Sequence, residues 1–534
     1  MKLELRRLSH AHEEHPGGGI KMAHRMIHYM ARMALAFSVF WLADDFDVSL
    51  AAGGTAAAAA GQATPNLLVI PQPKSLRPGT GIFVWKRDAH WQLQALARDE
   101  RLWQAASGLL ASRQGQFVTN SHAGCSLQIG MEREVDFPVG TNQPAWAANP
   151  EGYRLSVTPK GIVLQAATAQ GAFYGLQTLG QLLECDARQL SCPAVEIEDW
   201  PSLRFRGVHW FPSASGAPMY RQLIDNVFPT LKLNHCVVEC EAARWDCHPE
   251  IAMTNSISKV DLRQLVEECR SRFIEPVPLV DVPGHAQWMF QHDENLDLAE
   301  DSQTTYACCV KNPKTIRFIE AVMTECIDVF HPKTFHIGYD EITQHGQFPN
   351  PQCPLCGRET TTSLITESAN RLADWLAARG IKTMMWGDML LGPGEANAKN
   401  AGEARERRTG ISKKITITDW HYWNPGRRSL DVLQQAGFHT IASTWMQPGD
   451  IFRFSQAAIA SGSDGLLQTT WDGYFPDERV MQHEIDQFSA YVLAADYAWS
   501  GRSDPPAKLG YDARKILLKA YAGKFSRPQL TGVN

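Results

Sequence analysis

From Pro201 onward, short apolar runs alternate with helical stretches, and this rhythm constrains the chain more than any other feature. Eight strand candidates recur at 206–211, 235–240, 275–279, 334–337, 383–386, 416–420, 440–443 and 465–469. Strands separated by helices pair in parallel and are covered on both faces, which explains why these runs are nearly all apolar. The helices between them carry start and stop signals. Ser258 with Asp261 reads as a capping box ahead of 262–272, Asn312-Pro313 supplies an N-cap and an N1 proline, and Gly380 ends the face formed by Ile365, Ala369, Leu372 and Leu376. Eight such units across 201–534 predict an α/β chain folded as a (β/α)8 TIM barrel. A doubly wound open sheet is the alternative, but no glycine-rich phosphate loop follows the first strand. Ahead of the barrel, 66–200 reads as a small α+β unit, with β-like runs at 153–157 and 162–166 and a helix at 171–183.

The 534 residues carry 51 Lys and Arg against 57 Asp and Glu, a formal charge of −6. With no basic run in the folded part, nucleic acid is not an expected partner. In the first 65 residues an apolar run, 33–43, follows Lys21, Arg25 and Arg32 and precedes an Ala-rich stretch. This is the layout of a signal peptide, with Met22 or Met26 as alternative starts, and it predicts a secreted or periplasmic protein. The run falls short of the ~20 residues that cross a bilayer, so no stable membrane span is expected after processing. Of the 12 cysteines, Cys353 and Cys356 form a CxxC, with no second CxxC or HxxxH partner of suitable spacing to complete a zinc site. A local disulfide or plain loop cysteines are the expected readings of this motif, and neither a metal nor a cofactor is expected.

Reactive groups of a barrel sit at the C-terminal strand ends, and here those ends are polar and aromatic. They carry His209, Asp281 with His285, His336 with Asp340 and Glu341, Trp386 with Asp388, Tyr422, Trp445, and Trp471 with Asp472. Carboxylates for proton transfer beside indoles that stack on C–H faces describe a pocket for a neutral polyhydroxylated ring. A sugar hydrolase is the leading class.

Three motifs sharpen this reading: Arg206-Gly207, Pro283-Gly284-His285 and His336-Ile337-Gly338-Tyr339-Asp340-Glu341, after Gly152-Tyr153-Arg154-Leu155 and 171–179 upstream. Together they resemble family 20 glycoside hydrolases, the β-N-acetylhexosaminidases, over about 66–500. The resemblance implies an accessory domain of zincin-like type at 66–200. It also implies a partner glycan or glycoconjugate ending in β-linked N-acetylhexosamine. Substrate-assisted retention is implied too: the sugar's acetamido oxygen attacks the anomeric carbon. Glu341 would then be the general acid/base and Asp340 the group that orients the acetamide. Arg206 would grip ring hydroxyls, Trp386, Trp445 and Trp471 would line the subsite, and Tyr422 would hydrogen-bond the acetamide. His285 would contact substrate or act from behind the acid pair, and His336 would support it. A noncatalytic carbohydrate-binding descendant is one alternative reading. Another barrel hydrolase of N-acetylated sugars is a second, against which the motif spacing speaks.

The chain departs from the family pattern at several points. Tyr339 replaces the motif's second glycine, which would narrow the pocket or touch substrate. The segment after the second strand lacks the usual His-x-x-Asp, so Glu241 or Asp246 would polarise His285 instead. Trp471-Asp472-Gly473 lacks a glutamate two residues beyond the tryptophan, and Asn424 stands where aspartate is commoner.

Overall fold

The computed structural model describes residues 67–86, 91–95, 99–111, 125–131, 144–185, 189–393, 401–423 and 425–523. The apolar run at 33–43 and Asn424 lie outside them. Among the described residues no helix is long and apolar enough to cross a membrane.

The first part is a mixed seven-stranded sheet built from β1 (Ser75–Lys86), β2 (Trp91–Ala95), β3 (Cys125–Met131), β4 (Tyr153–Thr158), β5 (Gly161–Ala166), β6 (Glu184–Cys185) and β7 (Gln189–Asp199). The strand order is β1-β7-β4-β5-β3-β2, with β6 on β7. Alternation along β4 and β5 turns Tyr153, Leu155, Val157, Ile162 and Leu164 to one buried face. The helix Ala169–Leu182 contributes Phe173, Leu176 and Leu179 to the same apolar core. It begins where Thr168 Oγ1 accepts the Gly171 N–H at 3.2 Å.

The second part is a closed barrel of eight parallel strands: β8 (Phe205–Trp210), β9 (His235–Glu239), β10 (Glu275–Val282), β11 (Thr334–Gly338), β12 (Lys382–Trp386), β13 (Ile415–Trp420), β14 (Thr440–Thr444) and β15 (Gly465–Gln468). Gly465 pairs with Phe205, which closes β15 on β8. Each strand expected from the sequence is present, with ends within three residues. The largest difference is β10, which continues to Val282 because that residue still pairs with Gly338 of β11. Phe205, Val237, Val277, Leu279, Met384, Trp386, Ile441 and Leu467 fill the interior as one cluster. Both helix start signals act as N-caps, and at the first the Ser258 hydroxyl itself donates to Asp261 Oδ2 where a capping box would use the Ser258 backbone N–H. Ser258 Oγ accepts the Asp261 N–H, and Asn312 Oδ1 caps Pro313–Phe330 through the Lys314 N–H.

The two parts meet at the N-terminal face of the barrel through buried charges. Arg206, the second residue of β8, has a fully enclosed side chain and forms a fork with both oxygens of Glu151, at 2.8 and 2.9 Å. Its remaining N–H groups reach the carbonyls of Leu203, Arg204 and Lys232. Beside it, Lys232 donates to Asp199 and to the Tyr153 hydroxyl, while the Trp499 indole donates to Asp199. Arg206 is thus a seam residue. The expectation that it grips sugar hydroxyls is corrected, because its donors are spent at the end of the barrel opposite the reactive rim.

Candidate active site

A sharp turn after β11 sets the site's geometry. Gly338, Tyr339 and Glu341 all adopt left-handed backbone, with φ of 73°, 76° and 47°. Gly338 must be glycine, since a Cβ there would lie 1.8 Å from Asp281 Oδ1. Tyr339 and Glu341 hold this conformation at a cost of order 1–3 kcal/mol each, a strain that marks functional turns. The turn sends the Tyr339 ring outward, where it is buried beside Pro283, Val310, Ile319 and Leu372. It neither narrows the pocket nor faces a substrate, contrary to expectation. Asp340 is buried at the pocket wall, and the Glu341 carboxylate is a quarter exposed.

His285 joins the two carboxylates. Its Nε2 lies 3.8 Å from Asp340 Oδ2 and 3.4 Å from Glu341 Oε2, and the Tyr306 hydroxyl sits 3.2 Å away. Burial opposes charging of the imidazole, but Asp340 and Glu341 outweigh it and raise its pKa to about 9. An imidazolium therefore faces the acid pair at neutral pH. The Tyr306 hydroxyl also donates to the Glu341 carbonyl at 3.1 Å, and the Glu341 N–H donates to Asp388.

Behind Asp340 runs a row of buried acids. Burial, then the neighbouring Asp340, pushes the Asp281 carboxyl well above its ordinary range, and burial does the same to Glu241 and lifts Glu239 to about 8. Asp340 is itself raised by burial, with His285 pulling the other way. Glu239 pairs with His209 Nε2 at 2.7 Å, and burial lowers that imidazole to about 4. Asp281, His285 and Asp340 bring one potential ligand atom each within 4.8 Å of one another. Burial raises both carboxyls and the acid pair raises the imidazole, so a metal at this group would have to displace protons from its ligands.

The opposite wall is aromatic. The Tyr422 hydroxyl accepts the Trp471 indole N–H at 2.9 Å and shares a hydrogen bond of 3.1 Å with Thr469 Oγ1, which holds it in place. The Trp445 ring lies 5.7 Å from Tyr422, and its N–H donates to Gln487 Oε1, which also receives the Trp471 backbone N–H. Trp386 differs from expectation. It is fully buried between His336, at 4.4 Å, and Trp471, at 6.1 Å, and so forms the floor instead of a wall. His336 lies buried in the barrel interior. Its Nδ1 accepts the Gly338 N–H, Nε2 meets Thr418 Oγ1 at 2.7 Å, and burial keeps it neutral.

The two candidates for polarising His285 are both corrected. Glu241 accepts the Asp281 backbone N–H at 2.5 Å, and the neighbouring Glu239 adds to burial in raising its pKa. Asp246 has an 82% exposed side chain paired with Lys259. Tyr306, Asp388, Glu239 and Gln487 carry the geometry without having been singled out as site residues. Asp388 was visible at a strand end, whereas Tyr306 lies in a long loop that offers no periodic signal.

The family models for glycosyl hydrolase family 20 match in two pieces: its domain 2 over 66–200 and its catalytic domain over 230–448. The chain belongs to glycosyl hydrolase family 20. The chain is similar to a lacto-N-biosidase of Bifidobacterium bifidum and to a β-hexosaminidase of Akkermansia muciniphila. The first is 23% identical over 72% of this chain and 37% of that protein. The second is 27% identical over 42% of this chain and 52% of that one. The matches thus span about a third to a half of these relatives' lengths. The β-N-acetylhexosaminidase of Bacteroides fragilis shares the fold with a TM-score of 0.65 at 17% identity, covering 88% of this chain and 99% of that one. A Flavobacterium johnsoniae chitobiase does so with a TM-score of 0.67 at 19% identity, over 86% and 72%.

Proposed function

We propose that this family 20 chain removes terminal β-linked N-acetylhexosamine, GlcNAc or GalNAc, from a glycan or glycoconjugate by substrate-assisted retaining hydrolysis. One observation carries the reading. Asp340 and Glu341 are sequence neighbours that meet the same His285 nitrogen, at 3.8 and 3.4 Å. Carboxyls so placed cannot take opposite faces of one glycosidic bond, as the ordinary two-carboxylate scheme requires. The nucleophile then comes from the substrate.

In this mechanism the Tyr422 hydroxyl donates to the acetamido carbonyl and Asp340 accepts from the acetamido N–H, which aims the oxygen at the anomeric carbon. Glu341 protonates the departing glycosidic oxygen as the C–O bond breaks and the acetamido oxygen closes a charged five-membered ring. Asp340 stabilises that charge. Glu341 then takes a proton from water as the water opens the ring with retention. Trp445 and Trp471 give the sugar's C–H faces a stacking surface, and Trp423, exposed beside Tyr422, extends it toward the rim.

The decisive experiment compares aryl β-N-acetylglucosaminides and galactosaminides with aryl β-glucosides that lack the acetamide. Turnover of the acetamido sugars alone is expected, whereas comparable turnover of the plain glucosides overturns the mechanism. Binding of N-acetylhexosamine without turnover would identify a noncatalytic descendant.

We also propose division at 1–65, 66–200 and 201–534, with the small unit of zincin-like type. Its mixed sheet backed by the helix Ala169–Leu182 supports that assignment. The apolar run at 33–43 supports action in the periplasm or outside the cell. Amino-terminal sequencing of the mature protein tests this, with a start between about 51 and 65 expected; retention of Met22 or Met26 overturns it.

A further inference from the structure

The sequence shows only half of a cysteine site, and the fold brings the other half to it. Cys353 and Cys356 lie in the loop after β11, while Cys309 and Glu300 lie in the loop after β10. We propose that Glu300, Cys309, Cys353 and Cys356 bind one zinc ion that clamps these two loops together. The proposal does not depend on the glycosidase reading.

Four potential ligand atoms, one from each residue, lie within 4.8 Å of one another. Zinc bonds thiolate at about 2.3 Å, which sets sulfurs at the corners of a tetrahedron about 3.8 Å apart. Cys309 Sγ is 3.7 Å from Cys353 Sγ and 3.4 Å from Cys356 Sγ. A disulfide needs about 2.05 Å and would join only two of the three sulfurs. Three thiols and one carboxylate make a closed four-ligand set of the kind that holds structural zinc.

The surroundings are shaped for a bound cation. The Cys356 backbone N–H points at Cys353 Sγ at 3.4 Å, the arrangement that favours a thiolate. Gly357 closes the turn where a Cβ would lie 2.6 Å from the Pro351 carbonyl and 2.7 Å from that of Cys353. Glu300 is buried, and its Oε1 accepts the Asn350 N–H at 2.9 Å, which fixes the carboxylate plane. Its Oε2 is buried with no hydrogen-bond partner, and a carboxylate oxygen of Glu300 lies within 4.8 Å of the three sulfurs. An uncompensated buried carboxylate oxygen is costly, and a divalent cation removes that cost.

The consequence is positional. The clamped loops carry His285 and Tyr306 on one side and Asp340 and Glu341 on the other. Cys309 follows Tyr306 by three residues, and the Tyr306 hydroxyl holds the Glu341 carbonyl. Zinc would sit behind the acid pair and keep the two loops in register without touching a reacting atom.

The test is elemental analysis of the full chain purified without chelator. One zinc per chain is expected, falling below about a tenth of that in Cys309→Ser and Cys356→Ser and unchanged in Cys247→Ser, whose thiol lies outside the cluster. Because a serine variant can fail to fold, wild-type protein is also stripped with chelator and reloaded with cobalt(II). Thiolate-to-cobalt absorption with tetrahedral ligand-field bands is expected. Glu300→Gln should shift those bands and raise the zinc dissociation constant at least about tenfold. Metal content near background, cobalt uptake without a thiolate band, or full zinc in folded Cys356→Ser overturns the proposal. So does a non-reduced peptide map that joins Cys309 by a disulfide to Cys353 or Cys356.

Discussion

The Glu341 backbone N–H donates to the Asp388 carboxylate at 2.9 Å, tying the strained turn after β11 to the end of β12. With Tyr306 holding the Glu341 carbonyl from the other side, the backbone of Glu341, the proposed proton donor, is fixed at both polar ends. Asp388→Ala should lower kcat by about 10- to 100-fold, the usual penalty for an ångström of misplacement, with KM within about twofold. Tyr306→Phe should act in the same direction and more weakly. Steady-state kinetics check this; a rise in KM at constant kcat would mean that these residues serve binding instead.

In the proposed mechanism Glu341 gives its proton to the leaving oxygen, and Glu341→Gln removes that proton. Turnover should fall at least about 100-fold on alkyl glycosides and less on activated aryl glycosides, whose leaving groups need little protonation. Equal losses across a leaving-group series would contradict the acid role.

Asp340→Asn tests the other carboxyl. With the acetamide as nucleophile, successive fluorination of its methyl group should slow the wild-type enzyme progressively, and Asp340→Asn should lower kcat and flatten that dependence. A thiazoline mimic of the bicyclic intermediate should bind wild type more tightly than the product sugar does. A covalent sugar trapped on a protein carboxylate would reject the mechanism.

The His285 charge should appear in stability. Its folded pKa of about 9 lies above the ordinary 6.5, so the stabilisation it provides is complete below the ordinary value and is lost as pH rises through about 9. A third of the side chain is exposed to the pocket, and solvent screening limits the size of the effect. Urea midpoints measured from pH 6 to 10 should fall more steeply for wild type than for His285→Gln across the upper part of that range. Parallel profiles would show that the imidazole is not charged in the folded protein.

The barrel was legible because strand and helix periods differ and cap residues stand at fixed offsets, as Ser258 and Asn312 do. The acid pair was legible because Asp340 and Glu341 are adjacent in the chain. Residues brought together from separate loops were not: Tyr306, Glu300 and Cys309 meet the loop after β11 only through tertiary contact. Arg206 could have been placed by parity. Alternate residues of a strand face opposite sides, so an inward His209 at an odd separation of three sends Arg206 outward. A motif match carried it to the pocket, while strand geometry carries it to the seam.

That seam gives a prediction that separates the two roles of Arg206. Glu151 supplies both oxygens to a guanidinium with no solvent exposure, so Glu151→Gln leaves a buried charge without its counter-charge. Breaking such a pair costs about 3–5 kcal/mol. Lysine cannot reproduce the planar fork, so Arg206→Lys should also destabilise, since one ammonium cannot serve the carboxylate and three carbonyls together. Both variants should unfold at lower urea concentration, yet the folded fraction should keep kcat/KM within about twofold of wild type, because the active-site pocket lies at the other end of β8. If Arg206→Lys instead raises KM for N-acetylhexosaminides and leaves the urea midpoint unchanged, the guanidinium grips the sugar after all and the seam assignment fails.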